Sequence, residues 1–202
     1  MPDPSTEASR DLPLALGVTG ASGTPYIVRL LEVLLEAGSS VHLVMSPNAD
    51  DVARLEIGEA LTTRVEKLQR AHGDGLRVFS RNDFMSPMAS GSARYAGMAI
   101  CPCSMGTLGR IASGASDDLL SRAADVMLKE CRRLVLVPRE MPYNAVHLEN
   151  MLKLTHAGAV VLAASPGFYH QPKSLADLVD FVVQRICDLL DVNVDISQRW
   201  GD

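Results

Sequence analysis

The sequence predicts an α/β fold, a single domain in which a parallel sheet is covered by helices on both faces. Short apolar runs alternate along the chain with longer segments whose apolar residues recur at helical spacing. The run at residues 134–137 (LVLV) is apolar at every position, which is typical of a parallel strand buried on both faces. Regular alternation of strands and helices produces such a sheet.

Length and composition favour one domain without a nucleic-acid surface. The chain has 202 residues, of which 47% are hydrophobic, and a net charge of −5. The four cysteines form no zinc pattern, and we find no signal segment and no apolar run of about 18 residues. We therefore expect a cytoplasmic protein with free thiols. We expect residues 1–12 to be a flexible arm, 13–190 the folded domain and 191–202 a tail.

The first predicted strand ends in a glycine-rich turn. Gly17, Gly20 and Gly23 stand at G-x-x-G-x-x-G spacing, and a helix with one apolar face follows directly. Glycines allow close approach to a ligand, and a helix N-terminus attracts anions. Thr24 is expected to cap this helix, with Pro25 in its first turn. The spacing differs from the dinucleotide motif G-x-G-x-x-G, so another nucleotide, or a turn without a ligand, fits it.

The remaining elements follow in order along the chain. We expect further strands at Val41–Met45, Leu76–Phe79, 97–101, 134–137 and 159–163. We expect further helices at 51–56, 59–69, 108–112, 117–129, 144–155 and 174–190. The aperiodic segment 80–96 predicts a functional or flexible loop, and its sequence Ser90-Gly91-Ser92 could wrap an anion.

Polar residues follow the carboxyl ends of the predicted strands. They lie at 20–23, Ser46, 104–107, Arg139, Glu140 and 165–169. In a parallel sheet these ends meet at one edge, where ligands bind at the switch in strand order. The hydroxyls of 104–107 could cap a helix or bind an anion. Arg139 suits bidentate phosphate binding, and Glu140 could move a proton or pair with Arg139.

Other residues admit both a structural and a functional interpretation. Arg122 and Lys129 are seven residues apart and share a helix face, which for Lys129 favours simple solvation. Glu56 and Arg185 fit exposed helix positions. Tyr169 lies in a segment with two prolines and two aromatics, which suggests a shaped wall. No histidine has metal-ligand spacing, and no G-x-S-x-G motif indicates a hydrolase.

Six segments spread over most of residues 14–190 have a distinctive sequence. They are GVTGASGTPY (17–26), ASGS (89–92), ICPCSMGTL (100–108), RAADVMLKE (122–130), LVLVPREMPYNAVHLENMLKL (134–154) and AASPGFYHQPKSLADLVDFVVQRI (163–186). Together they resemble the flavin prenyltransferases, the UbiX-like family of flavoproteins. One departure is Phe84, where the resemblance leads us to expect a tryptophan.

The resemblance implies a fold and a reaction. The fold would be a flavodoxin-like, Rossmann-type sheet. The enzyme would join the five-carbon unit of dimethylallyl phosphate to N5 and C6 of reduced FMN without a metal. The product, prenylated FMN, would serve a UbiD-type decarboxylase. The chain would form a homo-oligomer, typically a dodecamer, with its sites between subunits.

The resemblance also implies site residues. FMN would be bound by Gly20, Ala21, Ser22, Ser46, Ser104, Met105, Gly106, Thr107 and Arg139. The prenyl phosphate would be held by Ser90, Lys129, Arg139, Tyr169 and Arg185. The catalytic set would be Ser22, Glu56, Glu140, Lys129 and Arg122. In it, Glu140 and Ser22 would form a proton relay, Glu56 would have a further polar role, and Arg122 would support the cationic pocket.

Two alternatives remain open at this point. One is an FMN-dependent peptidyl or pantothenoyl cysteine decarboxylase of the same superfamily, which typically carries an active-site histidine and a P-A-S-A-N-T type loop. The corresponding loop here reads C-P-C-S-M-G-T. The other is a non-catalytic flavin-binding protein. We find no convincing active-site histidine, and the cationic set of Lys129, Arg139 and Arg185 suits a phosphate substrate better than a cysteine peptide. A non-catalytic flavin protein needs no second anion site beside the flavin, so the same set argues against it.

Overall fold

The computed structural model describes residues 12–201, and its centre is a six-stranded, all-parallel sheet. The strands lie in the order β3-β2-β1-β4-β5-β6. Their bounds are β1 Leu14–Val18, β2 Val41–Met45, β3 Leu76–Phe79, β4 Gly97–Cys103, β5 Leu134–Pro138 and β6 Val160–Val161. The order reverses direction between β1 and β4, so this pair forms the switch point of the sheet.

Seven helices cover the sheet within residues 12–201. They are α1 Thr24–Glu36, α2 Ala49–Ile57, α3 Leu61–His72, α4 Met105–Ser113, α5 Leu119–Lys129, α6 Ala145–His156 and α7 Leu175–Leu189. Short 3-10 turns occur at Gly73–Gly75 and Pro87–Ala89. The predicted α/β class is confirmed.

The core has two parts, one on each face of the sheet. Side chains alternate along β1, so Leu16 packs into the part that contains α1 and α7, whereas Ala15 packs into the part that contains α4 and α5. β5 is buried at all five positions, as its uniformly apolar sequence predicts. The sheet is therefore sandwiched between two helical layers.

The observed bounds differ from the predicted ones mainly at element ends. Asp118, Asn144 and Ser174 lie just outside their helices as N-caps, each in a capping box. β6 contains only two of the five residues predicted for it, although the amides of Leu162 and Ala164 still donate to carbonyls of β5. No helix in residues 12–201 is long and apolar enough to cross a membrane.

The predicted N-terminal arm lies outside the described residues except for Leu12. The described part of the predicted C-terminal tail packs against the domain. Val192, Val194 and Ile196 pack, partly buried, against the core on the α1 and α7 side.

Candidate functional site

Two turns lie side by side at the switch point, at the carboxyl ends of β1 and β4. Thr19 connects them, since its buried hydroxyl donates to the carbonyl of Pro102 at 2.7 Å and accepts from the N–H of Ser104 at 2.9 Å. The predicted flavin-binding residues 20–22 and 104–107 are thereby held next to each other. This juxtaposition is what the sequence predicted for the edge of a parallel sheet.

A glutamate side chain of the same chain caps the N-terminus of α1. Glu56, near the end of α2, accepts from the N–H of Gly23 at 3.0 Å and from that of Thr24 at 2.7 Å. The N-cap position is Gly23, so the expectation that Thr24 caps this helix is wrong. The cap comes instead from a residue distant in sequence. The N-terminus of α1 is thus already neutralised by a carboxylate.

Hydrogen bonds keep Glu56 ionised. Burial works to raise the pKa of this carboxyl group, but the Ser22 hydroxyl and the Gly23 and Thr24 amides outweigh it, and the pKa lies below its ordinary value. Ser22 is thus in contact with a fixed negative charge. The carbonyl of Ser22 in turn accepts from the Nε of Arg139 at 3.1 Å. Ser22, Glu56 and Arg139 therefore form one connected group.

The end of β2 adds a hydroxyl to this edge. The Oγ of Ser46 is buried and has no hydrogen-bond partner among the described residues. A buried unpaired hydroxyl is costly, and a polar ligand at this edge could satisfy it. Gly20 lies against the neighbouring Asn48, because a Cβ at Gly20 would stand only 2.6 Å from the Cβ of Asn48. The glycine is required by contact within the chain.

The second turn presents a helix N-terminus of a different kind. The side chain of Ser104 caps α4 by accepting from the N–H of Thr107 at 3.3 Å. Met105 is buried, whereas Gly106 is exposed and has open space on its Cβ side. Early amides of a helix have no acceptor within it, and no carboxylate of the described chain caps this turn as Glu56 caps α1. The turn at 104–107 is the better place for a ligand anion.

Glu140 lies beside Arg139 at the same edge and is exposed. Its Oε1 accepts from the N–H of Met141 at 3.1 Å. The carboxylate is thus oriented by the backbone, and no ion pair with Arg139 is formed.

A second group of predicted site residues lies around the loop at 89–91, away from the two turns. It consists of Ser90, Arg122 and Lys129. The Nε of Arg122 donates to the carbonyl of Ala89 at 3.0 Å, which fixes the loop that leads to Ser90. Lys129 lies over the next residue of that loop, since a Cβ at Gly91 would stand 2.6 Å from its Nζ. Lys129 also pairs with Glu130. α5 ends at Lys129, just before β5 begins, so Lys129 lies near the edge where the strands start.

Tyr169 and Arg185 form a third group, in a cleft of about 380 Å³ between α7 and the tail. The ring of Tyr169 makes edge contacts with Phe181 and with Trp200, whose ring centre lies 4.9 Å away. The guanidinium of Arg185 pairs with Asp188 at 2.8 Å. Both predicted residues are about half exposed.

Within one chain, then, the predicted flavin residues come together and the predicted prenyl-phosphate residues do not. Sequence analysis missed Thr19, because a buried threonine gives no signal for a link between loops. It also missed Arg110, which donates to Thr107; its spacing of three residues from Thr107 on a predicted helix was an available signal. In residues 12–201, no three His, Cys, Asp or Glu side chains cluster so as to hold a metal ion.

Comparison with known proteins gives a consistent result. The family model described as Flavoprotein matches residues 3–187. The flavin prenyltransferase UbiX of Pseudomonas aeruginosa is 50% identical over 196 residues, which cover 94% of each chain. That of Methanocaldococcus jannaschii is 42% identical over 184 residues, covering 91% of this chain and 96% of the relative.

Solved structures agree. AnUbiX (PadA1), in complex with FMN and dimethylallyl pyrophosphate, superposes with a TM-score of 0.88 at 40% identity, covering 96% of this chain and 99% of that one. A dodecameric FMN-dependent UbiX-like decarboxylase from Escherichia coli O157:H7 superposes with a TM-score of 0.86 at 39% identity, covering 95% of this chain and all of that one.

The cysteine decarboxylase alternative receives no comparable support. The FMN-dependent cysteine decarboxylase TvaF is 18% identical with a TM-score of 0.58, a likeness that shows the fold alone. The relatives at 40–50% identity span nearly the whole chain and carry the other activity. The chain therefore belongs to the UbiX family of flavin prenyltransferases, within the Flavoprotein family.

Proposed function

We propose that this chain transfers the dimethylallyl group of dimethylallyl phosphate to N5 and C6 of reduced FMN in the cytoplasm. The observation that supports this most strongly is the pair of turns tied by Thr19. They bring Ser22, Arg139 and the N-terminus of α4, which no carboxylate of the described chain caps, to one edge of the sheet. The relative that binds FMN and dimethylallyl pyrophosphate has the same fold. The four cysteines are free, which suits a reducing compartment.

We assign the two turns different tasks in holding FMN. The phosphate would bind at 104–107, where early helix amides and the Thr107 hydroxyl are available, and the unpaired Ser46 hydroxyl would serve the same ligand. The turn at 20–22 would lie along the flavin ring, since Glu56 already occupies the anion position of α1. Arg139 would approach the flavin from its position on the Ser22 carbonyl.

Reduced FMN supplies the electron pair of N5, and the allylic C–O bond breaks with charge developing on the departing phosphate oxygen. Fixed cations stabilise that charge, and we assign this task to Arg139, Lys129 and Arg185, with Ser90 and Tyr169 as hydrogen-bond partners. Lysine and arginine would thus do the work that divalent metals do in other transfers of prenyl groups. Donors of one or two phosphates both fit such a set, and we favour the monophosphate.

Closing the new ring takes a proton from C6, which the released phosphate can accept. We assign Ser22 and Glu140 to the relay that moves protons near the flavin. Glu56, held ionised by hydrogen bonds from Ser22, Gly23 and Thr24, would orient the Ser22 hydroxyl rather than exchange protons itself. Arg122 would act through the loop, by holding Ala89 and thereby Ser90.

The proposed phosphate-binding residues would meet only between copies of the chain. Lys129 lies before β5 and Arg139 directly after it, so the strand separates them by about 16 Å. A complete site then needs Lys129 from one subunit and Arg139 from another. A homo-oligomer follows, and the dodecameric relative makes twelve copies our expectation. The product, prenylated FMN, would pass to a UbiD-type decarboxylase.

The test is the mass of the flavin after reaction. Under anaerobic, reducing conditions with FMN and dimethylallyl phosphate, we expect a flavin heavier by one five-carbon unit. An unchanged mass, with the protein folded and FMN bound, would contradict the proposal. Parallel runs with dimethylallyl diphosphate distinguish the two donors.

The proton relay is tested by the same assay. Glu140→Gln should leave FMN bound and slow the formation of product, because the carboxylate is lost while the shape is kept. An unchanged rate would remove Glu140 from the relay. Glu36→Gln, at the exposed end of α1, is the matched control.

A further inference from the structure

Arg110 lies one helical turn after the proposed phosphate-binding residues. It belongs to α4, three positions beyond Thr107, and helical side chains lean toward the N-terminus of their helix. Its Nη2 donates to the Oγ1 of Thr107 at 3.1 Å. A second positive charge, separate from Arg139, therefore stands next to the turn at 104–107.

The hydrogen bonds around Thr107 leave its hydroxyl one direction in which to donate. A threonine hydroxyl has one hydrogen and two lone pairs. Its oxygen accepts from the hydroxyl of Ser104 at 3.1 Å and from Arg110 at 3.1 Å. Both lone pairs are then used, so the hydrogen of Thr107 must point away from Ser104 and Arg110.

Arg110 forms an ion pair with a carboxylate but no hydrogen bond to it. The nearest described one is Asp117, whose Oδ1 stands 3.8 Å from the Nε of Arg110, beyond hydrogen-bond distance. That Nε is buried without a hydrogen-bond partner among the described residues. A buried guanidinium N–H without an acceptor is costly, and an anion bound at this turn could accept from it. The arrangement thus favours a bound anion.

We infer that Arg110 is a positioning residue for the flavin phosphate: it fixes the Thr107 hydroxyl as a donor to that phosphate. This inference rests on the proposed function, in which residues 104–107 hold the phosphate of FMN. Without Arg110, the Thr107 hydroxyl could turn and donate to Ser104 instead. The phosphate would then lose one charge-assisted hydrogen bond, whereas the flavin ring would lose nothing.

The test compares FMN with riboflavin, which lacks the phosphate. In Arg110→Met we expect FMN to bind about tenfold more weakly and riboflavin to bind as in the wild type, because only a bond to phosphate is lost. Arg110→Lys, which keeps a cationic donor, should restore part of the difference. Arg70→Met changes an exposed arginine on α3 and should alter neither affinity. Fluorescence titration of each flavin gives both dissociation constants.

A double substitution separates positioning from direct contact. If Arg110 acts through Thr107, adding Arg110→Met to Thr107→Val should weaken FMN binding no further. The inference would be overturned if the losses of FMN affinity in the two single variants added up in the double variant. It would also be overturned if Arg110→Met weakened FMN and riboflavin equally, or weakened neither. The mass assay is scored separately: wild-type protein that makes the heavier flavin keeps the proposed function, whatever Arg110 does.

Discussion

Glu56 and Gly23 are 33 positions apart in the sequence, yet the carboxylate of Glu56 accepts from the free amides at the start of α1, whose N-cap is Gly23. The glycine spacing correctly predicted a turn before a helix. It could not predict which group satisfies the amides there, because that depends on how α2 packs against α1. Thr107 differs, because its partner Arg110 is three residues away on the same helix and the spacing was an available signal. The hydroxyl of Ser46 has no partner among the described residues, which the sequence could not indicate.

Replacement of Glu56 should reveal its capping role through pH. The folded-state pKa lies below 4.5, so the carboxylate stabilises the fold above that pH and loses its effect as the pH falls through the folded value. Glu56→Gln should lower the free energy of unfolding by about 1 kcal/mol at neutral pH. The difference from wild type should shrink on acidification. Urea unfolding at several pH values measures it.

The control for that experiment is Glu36→Gln. Glu36 is exposed at the opposite end of α1, where a negative charge does not favour the helix. We expect no loss of stability there. An equal loss in both variants would show that Glu56 acts by overall charge and not as a cap.

At the scale of elements, periodicity predicted nearly every helix and strand, and it failed where tertiary pairing decides. β6 has two residues, fewer than its apolar run, although the amides of Leu162 and Ala164 still donate to carbonyls of β5. α6 shows that helical periodicity does not reveal what an apolar helix face packs against. Its sequence is helical, but of its residues only Leu154 is buried, while Val146, Leu148 and Leu152 are more than half exposed. Sequence cannot tell whether an apolar stripe meets the chain's own core or another copy.

A buried pair connects β2 with the long loop that precedes β4. The Nδ1 of His42 lies 2.7 Å from the hydroxyl of Tyr95, and both side chains are buried. Burial, followed by the charge of Arg77, lowers the pKa of His42 from 6.5. His42 therefore binds a proton more readily in the unfolded chain than in the folded one. The free energy of unfolding should fall as the pH drops below 6.5.

His42→Gln should flatten that dependence, because glutamine keeps a hydrogen-bonding partner for Tyr95 and does not titrate. We expect its free energy of unfolding to change less than the wild type's between neutral and mildly acidic pH. His72→Gln, an exposed position in the last turn of α3, should behave like the wild type. If the free energy of unfolding changed equally with pH in all three proteins, the role of His42 would be contradicted.

At the scale of the whole molecule, topology explains why the site residues are dispersed. The resemblance placed Ser90, Lys129, Arg139, Tyr169 and Arg185 around one phosphate. The fold sets Ser90 and Lys129 before β5, Arg139 after it, and Tyr169 and Arg185 in the cleft beside α7. The flavin half of the site could be predicted from a single chain, since parallel strands bring their ends together. The half predicted to hold the prenyl phosphate depends on how copies of the chain assemble, and the sequence of one chain gives no information about that.

The exposed stripe on α6 should lie between copies. Leu148 and Leu152 are one turn apart on one face, and burial of such a stripe favours association. Leu148→Glu with Leu152→Glu should reduce the molar mass found by light scattering and abolish formation of prenylated flavin. Thr63→Glu, an exposed position on α3, is the control. A fully active monomer would contradict shared sites.

We propose that one active site is assembled from two edges of the sheet in different copies. The most direct test is to combine Arg139→Ala and Lys129→Ala chains, each inactive alone, in one oligomer by co-expression with two affinity tags. Random assembly leaves roughly a quarter of the shared sites with both residues intact, so we expect about that fraction of wild-type activity to return. No recovery in a mixed, folded and FMN-bound oligomer would contradict the claim, because it would mean that both residues act within a single chain.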